Sequence, residues 1–101
     1  MADEITVQVR VPAALRHAAG GRSTVPALLG GSRAPDVRAL LDHLAATLPD
    51  LERRVRDEQG ALRRHVNVFV GTTNVRDLDE QATALGDGDE VAILPAVSGG
   101  A

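Results

Sequence analysis

Apolar and polar residues alternate without a break over residues 5–11 (ITVQVRV). This period of two places the apolar side chains on one face and predicts a half-buried β-strand, which Pro12 ends. Residues 23–29 form a second strand-like segment, after a loop or short turn that closes at Gly20-Gly21. Because Pro26 cannot donate a ladder hydrogen bond, we expect this second strand at a sheet edge, in a hairpin with the first.

The pattern then changes to the 3.6-residue period of a helix. Pro35 and Asp36 suit a helix start, because proline fits the first turn and an acidic residue favours the positive end of the helix dipole. The apolar stripe that follows consists of Val37, Leu40, Leu41, Leu44 and Leu48. Pro49 ends this helix, and residues 50–58 predict a further short helical turn.

Alternation returns in residues 64–70 and 90–94 and predicts two more strands. Their inward-facing residues are Val66, Val68, Val70, Val91 and Ile93. Their outward-facing residues include Phe69, Ala92 and Leu94. A tight turn over residues 86–89 precedes the last strand. The connection before that turn is expected to be anchored by Leu78, Ala82 and Leu85.

The order strand, strand, helix, strand, strand predicts an α+β protein with two layers. The first strand is strongly apolar and proline-free, so we expect it near the sheet centre with the last strand as its parallel neighbour. This arrangement is the β-grasp, or ubiquitin-like, fold. We predict a mixed four- to five-stranded sheet with one main helix on one face. Residues 1–94 would form the domain, and residues 95–101 a flexible, extended C-terminal tail carrying Gly-Gly.

Composition narrows the function classes. Hydrophobic residues make up 44% and charged residues 25% of the 101 residues, which is typical of one soluble globular domain. A net charge of -3, no dense basic block and an aromatic content of 1% disfavour nucleic-acid binding. No apolar run is long enough to span a membrane. The acidic N-terminus, residues 1–4, leads directly into a strand and is not a signal peptide, so we expect a cytoplasmic protein.

Two missing residue types exclude several kinds of chemistry. The chain has no cysteine, which rules out disulfides, thiolate nucleophiles and cysteine-based metal sites. All 11 basic residues are arginine, which rules out lysine nucleophiles and Schiff bases. Any sulfur chemistry must therefore use a group other than a side-chain thiol.

The remaining polar residues form no recognisable catalytic or metal-binding pattern. His17, His43 and His65 lie in different predicted elements and lack metal-ligand spacing. Residues 86–89 (GDGD) lack the features of a phosphate or calcium loop and are explained as a turn. Ser98 has no histidine or aspartate at a readable spacing. We therefore expect no catalytic residue, no metal site and no bound cofactor.

The C-terminal pair Gly99-Gly100 is the one unusual chemical feature that remains. Glycine-rich termini are often simply frayed. Alternatively, a backbone without side chains can enter a narrow channel and approach a reactive group in another protein. The pattern alone leaves both interpretations open.

A β-grasp domain with the ending LPAVSGG, residues 94–100, resembles the bacterial sulfur-carrier proteins of the MoaD/ThiS type, and most of all the CysO-like branch. The resemblance covers nearly the whole chain and includes residues 11–16, 20–21, 66–70, 87–89 and 91–97. It implies a carrier and not an enzyme. In such carriers a ubiquitin-activating-type enzyme adenylates the terminal glycine carboxylate with ATP, and a sulfur donor converts the product to a thiocarboxylate. A partner synthase then uses the sulfur to make cysteine, molybdopterin, thiazole or a thiosugar.

Carried over to this chain, the resemblance makes Gly100 the adenylated, sulfur-carrying residue. The tail that would enter the partner's active site consists of Pro95, Ala96, Val97, Ser98, Gly99 and Gly100. The outward residues Phe69, Ala92 and Leu94 would dock partners. The chain departs from the family pattern in having Ala101 after the glycine pair, and we expect a JAMM-type metalloprotease to remove it.

Three alternatives are retained. Within the carrier class, the chain would be the small subunit of molybdopterin synthase. In a second class it would be a ubiquitin-like modifier that forms isopeptide bonds with lysines of target proteins. In a third it would be a plain β-grasp interaction domain with an inert tail. The sequence does not identify the final sulfur acceptor, because that choice resides in the partner.

Overall fold

The computed structural model describes residues 4–30 and 34–95 of the chain. The strands are β1 (Ile5–Arg10), β2 (Thr24–Leu29), β3 (Val66–Val70), β4 (Thr73–Asn74) and β5 (Glu90–Pro95), and the helices are α1 (Val37–Thr47) and α2 (Pro49–Val55). The strands form one sheet in the order β2-β1-β5-β3-β4. Among the strand pairs of the described residues, only β1–β5 is parallel. The predicted mixed β-grasp sheet is thereby confirmed, with five strands.

The position of β2 follows from its proline. Pro26 lies opposite Gln8 of β1, and β2 has no neighbour on its other side among the described residues. The missing N–H of proline therefore costs no interstrand hydrogen bond on that outer side. The predicted edge strand and hairpin are both confirmed.

The turn over residues 86–89 precedes β5 and is hydrogen-bonded to β1. The Thr6 amide donates to Asp87 Oδ1 at 2.8 Å, and the Gly88 amide donates to the Thr6 carbonyl at 2.8 Å. Gly88 has φ +86°, a left-handed conformation that glycine adopts without steric cost. The predicted turn therefore has a structural role, since it holds the start of β5 beside β1.

The core lies between the sheet and α1. Asp36 caps this helix by accepting a hydrogen bond from the Ala39 amide at 2.9 Å. The stripe of Val37, Leu40, Leu41 and Leu44 is fully buried. Facing it from the sheet are Val7, Val9, Val68, Val91 and Ile93, all of them buried. The apolar face of the helix and the apolar face of the sheet thus pack into one core, as the sequence patterns predict.

Arg56 is a buried charge that joins three segments. Its guanidinium donates to Glu52 at 2.7 Å, to Asp42 at 2.9 Å and to Gln81 at 3.3 Å. Gln81 in turn donates to the Gly60 carbonyl at 2.8 Å. Arg56 is only 8% exposed, so these acceptors replace the water that the charge loses on burial.

The connections differ most from expectation. Residues 13–19, predicted as a loop, form a 3-10 helix, and further 3-10 turns cover Val75–Asp77 and Glu80–Ala82. The anchoring role predicted for Leu78 and Ala82 is wrong, because both are exposed, whereas Leu85 is buried. The residues that anchor this region are Val75, Gln81, Thr83 and Leu85. The tighter turns change which side chains point inward.

None of the helices in residues 4–30 and 34–95 has the length and apolar character needed to cross a lipid bilayer.

Candidate functional site: the open sheet face and the root of the tail

The sheet face opposite the helices carries a small apolar surface. Phe69 on β3 lies directly opposite Ala92 on β5, and Leu94 follows two residues further along on the same face. We call these three residues the open-face patch. Leu94 is 42% exposed, and Phe69 and Ala92 are half-buried. The structure therefore brings the three predicted docking residues together.

A hydrogen-bonded rim borders the patch on the β4 side. Asn67, opposite Leu94, accepts hydrogen bonds from the Asn74 side chain at 3.3 Å and from Arg76 Nε at 3.4 Å. Arg76 also donates to the carbonyls of Arg63 and Val66, both at 2.8 Å. In the described residues β4 pairs only with Phe69 and Val70, at the C-terminal end of β3. At the other end of β3, Arg76 donates the hydrogen bonds that a neighbouring strand would otherwise supply. The sequence places Asn74 and Arg76 in the connection but gives them no role.

On its other side the patch meets a charged pair. Arg10 of β1 lies beside Ala92 and forms a 3.3 Å ion pair with Glu90. Both side chains are more than half exposed, so the pair contributes little stability. A shallow depression next to Leu94 is bordered by Arg10 and by Arg16, whose Nε donates to the Val11 carbonyl at 3.2 Å.

Pro95 marks the root of the tail. It is the last residue of β5 and lies opposite Val66, so the strand extends one residue further than predicted. Along β5 it follows the alternation of the buried residues Val91 and Ile93, on the helix side of the sheet. The other predicted tail and processing residues lie outside the described residues. They are Ala96, Val97, Ser98, Gly99, Gly100 and Ala101.

Side chains in residues 4–30 and 34–95 form no group of three or more histidine, aspartate and glutamate residues that would hold a metal ion. His17 and His65 are exposed and His43 is half-buried, each in a different part of the fold. In the same residues every buried side-chain nitrogen or oxygen has a hydrogen-bond partner.

Comparison with known proteins places the chain in a family. Residues 9–100 match the ThiS family. The chain is 37% identical to the sulfur carrier protein CysO of Mycobacterium tuberculosis over 98 residues, covering 95% of this chain and 100% of the relative. The crystal structure of that CysO superimposes with a TM-score of 0.76 at 35% identity, covering 90% of this chain and 99% of CysO.

Two other similar proteins are a chain from a CysO-containing complex and an archaeal modifier protein. The crystal structure of the Amycolatopsis orientalis BexX/CysO complex contains a chain with a TM-score of 0.76 and 29% identity, covering 91% of this chain and 97% of that one. Small archaeal modifier protein 1 of Haloferax volcanii is 36% identical over 90 residues, which covers 85% of this chain and 91% of the modifier. The match over residues 9–100 and the full-length similarity to CysO show that this chain belongs to the ThiS family, in which it resembles the CysO-type sulfur carriers.

Proposed function

We propose that this protein is a sulfur carrier that acts on no substrate itself. A ubiquitin-activating-type enzyme adenylates the Gly100 carboxylate with ATP and releases pyrophosphate. A sulfide equivalent then displaces AMP and leaves a thiocarboxylate on Gly100. A sulfur-accepting synthase uses this group to make cysteine or a related sulfur metabolite such as a thiosugar. The chain itself binds no cofactor in this scheme, since ATP is bound by the activating enzyme.

The observation that carries the proposal is that the paired strand β5 reaches Pro95, five residues before Gly100, in a member of the ThiS family. The strand β5 is paired with β1 over Glu90–Ala92 and with β3 as far as Pro95, so it provides a fixed base. Five residues separate this base from the end of the glycine pair, and an extended chain covers at most about 3.3–3.6 Å per residue. The carboxylate of Gly100 can therefore reach about 17 Å into a partner.

The side chains of the tail support the same function. Gly99 and Gly100 have no Cβ, so the backbone can lie in a narrow channel close to the α-phosphate of ATP. The chain has no cysteine, and the proposed thiocarboxylate needs none, because the sulfur is held on the main chain. Ala96, Val97 and Ser98 are small and keep the tail thin.

The open-face patch is the surface on which we propose that partners dock. Phe69 is the only aromatic residue of the chain, and aromatic residues are frequent anchors of protein interfaces. Leu94 lies next to Pro95, so a partner that contacts the patch is also close to the root of the tail. Docking there places the glycine pair within reach of the partner's active site.

Activation requires a free carboxylate on Gly100, and the peptide bond between Gly100 and Ala101 blocks it. We propose that a JAMM-type metalloprotease hydrolyses this bond. Intact-mass measurement of the carrier from its native host tests the step. Thiocarboxylated protein that retains Ala101 would contradict it.

The decisive experiment is mass spectrometry of a chain that ends at Gly100, after incubation with ATP, an adenylating enzyme from the same host and a sulfur source. We expect the mass gain of one sulfur replacing one oxygen. Substituting Gly100→Val should abolish this gain without changing the circular dichroism spectrum. A variant that keeps its function in the cell would favour an interaction domain with an inert tail. A partner that copurifies as a heterotetramer with a molybdopterin precursor would favour the molybdopterin synthase subunit.

A second candidate function is supported by the similarity to small archaeal modifier protein 1. In that case the Gly100 carboxylate would form an isopeptide bond with lysines of other proteins. Gel-shifted conjugates that disappear when Gly100 is deleted would support the modifier function. If cells contain the thiocarboxylate but no such conjugates, the result favours the sulfur-carrier function over the modifier function.

A further inference from the structure

A basic cleft lies at the root of the tail, on the helix side of the sheet and opposite the open-face patch. Its apolar lining comes from Leu15, Val66 and Pro95, and its volume is roughly 320 Å³. The other lining residues are three arginines and one histidine, namely Arg53, Arg54, Arg63 and His65. We call these seven residues the basic cleft.

The fold assembles the cleft from segments that are distant in the sequence. Arg53 and Arg54 belong to the last turn of α2, whereas Arg63 and His65 precede β3. The Arg63 side chain donates to the Arg53 carbonyl at 2.9 Å, and its backbone amide donates to the Val55 carbonyl at 2.9 Å. Arg63 is therefore fixed against the end of α2 by neutral acceptors.

Few negative charges neutralise this cleft. Within the residues that the structure describes, neither Arg54 nor Arg63 forms an ion pair with a carboxylate. Arg53 pairs with Asp50, but both side chains are 69% exposed, so solvent weakens that pair. Arg56 from the same stretch is different, because it turns inward to Glu52 and Asp42.

The helix dipole explains only part of the cleft. Cations near the last carbonyls of a helix are stabilised by a fraction of a kcal/mol, which accounts for Arg53 and Arg54. It does not account for His65, or for the convergence of these residues on Pro95. A concentration of positive charge at this position, in a chain of net charge -3, indicates an anionic binding partner.

We propose that the basic cleft binds an acidic polypeptide segment of the enzyme that receives the tail, an inference that rests on the proposed carrier function. Protein carboxylates pair well with guanidinium groups in bidentate geometry. Nucleic acid fits less well, because the cleft is short, has no aromatic residue for base stacking and belongs to an acidic chain.

The cleft and the open-face patch lie on opposite faces of the same strand end. A partner that contacts the apolar face on one side and the basic face on the other fixes the rotation of β5 about its own axis. This rotation decides which way the backbone of the tail enters the active-site channel. The charge also accelerates the encounter, because complementary charge raises association rates more than it raises affinity.

The test is the association rate constant between a chain ending at Gly100 and the adenylating enzyme of the same host, measured by stopped flow. The double variant R53Q/R54Q removes two exposed charges. We expect its association rate constant to fall about tenfold at low salt. Raising the ionic strength from about 0.01 M to about 1 M shortens the Debye length from about 30 Å to about 3 Å, and should erase the difference.

The control for position is R38Q, which removes one exposed arginine from α1. Arg38 shares a depression with Leu28 and Leu29 of the edge strand β2, and it does not line the basic cleft. We expect R38Q to associate like the wild type. An equal loss in R38Q and R53Q/R54Q would overturn the proposal, as would a wild-type rate constant that does not depend on salt. A single-stranded RNA oligonucleotide that competes with the enzyme for the cleft would overturn it in favour of nucleic acid.

Thiocarboxylate formation at saturating enzyme separates this inference from the proposed function. A wild-type chain that gains sulfur but shows no charge-dependent association contradicts only the role of the basic cleft. A chain that gains no sulfur contradicts the carrier function itself, and with it the inference.

Discussion

Phe69 of β3 lies directly opposite Ala92 of β5, and this pairing makes an aromatic ring and the neighbouring Leu94 side chain parts of one surface. Because Ala92 is small, the Phe69 ring has a partner residue that leaves it half-buried and accessible on the open face. Ala92 lies three residues before Pro95, the last described residue of the strand. Contact with this surface therefore brings a partner to the tail.

Substituting Leu94→Ser should weaken binding of the adenylating enzyme by about fivefold to thirtyfold, which corresponds to a loss of about 1–2 kcal/mol from an interface anchor. The side chain is already 42% exposed, so the free energy of unfolding should change little. Isothermal titration calorimetry with the purified enzyme measures the loss.

The matched control for that substitution is Leu28→Ser. Leu28 is 54% exposed and lies on β2, at the far edge of the sheet. If the two variants lose affinity equally, the open-face patch is not the docking surface.

Gly99→Val in a chain ending at Gly100 should abolish thiocarboxylation, because a branched side chain next to the reacting carboxylate obstructs a narrow channel. Ser98→Ala, which removes only a hydroxyl group, should leave the reaction nearly unchanged. Intact-mass spectrometry after a fixed reaction time distinguishes the two. Normal sulfur incorporation by Gly99→Val would argue against a close-fitting channel.

Arg56→Met should lower the free energy of unfolding by about 3 kcal/mol, because it leaves the half-buried Glu52 carboxylate without its cationic partner. Urea unfolding followed by circular dichroism provides the measurement. The control is Arg53→Met, whose ion pair with Asp50 is exposed and should cost at most about 0.5 kcal/mol. Equal stability of the two variants would show that the Arg56 network contributes nothing specific.

Gly88→Ala should destabilise the fold by about 1–2 kcal/mol, because alanine in the left-handed region brings its Cβ close to the following carbonyl oxygen. Nothing within 4 Å blocks the added Cβ, so the cost comes from the φ of +86°. The comparison is Gly86→Ala, which lacks a positive φ and whose new Cβ would meet only Asp89 Oδ2 at 3.8 Å. A larger loss in Gly86→Ala, measured by urea unfolding, would contradict this assignment.

The strands and the main helix are predictable from the sequence because their periodicities are long and regular. The burial of Val7 and Val9, and of Leu40 and Leu44, follows from alternation and from the helical stripe. The edge position of β2 follows from Pro26. These features depend on neighbours along the chain, which a sequence displays directly.

The parts that the sequence did not predict are elements too short to show a period, or contacts between segments that are distant in the sequence. Strand β4 has two residues, Thr73–Asn74, too few to show alternation. The 3-10 turns after it bury Val75 and Gln81 where an irregular loop was expected to bury Leu78. Five of the eleven arginines fall between residues 53 and 64, which was a visible signal of the basic cleft. Their separation into a buried Arg56, a half-buried Arg63 and three exposed arginines is decided by the fold.

The proposed docking residues were predictable only in part. The alternation placed Phe69, Ala92 and Leu94 on one face, and the sheet order brought them together. The polar rim around Asn67 was not predictable, because it depends on Arg76 folding back across β3.

The parallel pairing of β1 with β5 also determines how the molecule resists mechanical load. The last strand is bonded to β1 on one side and to β3 on the other. A pull on the chain beyond Pro95, along the axis of β5, loads both ladders in shear, so their hydrogen bonds share the force instead of opening one after another. A force applied to the chain beyond Pro95 along this axis is therefore resisted by the two ladders together.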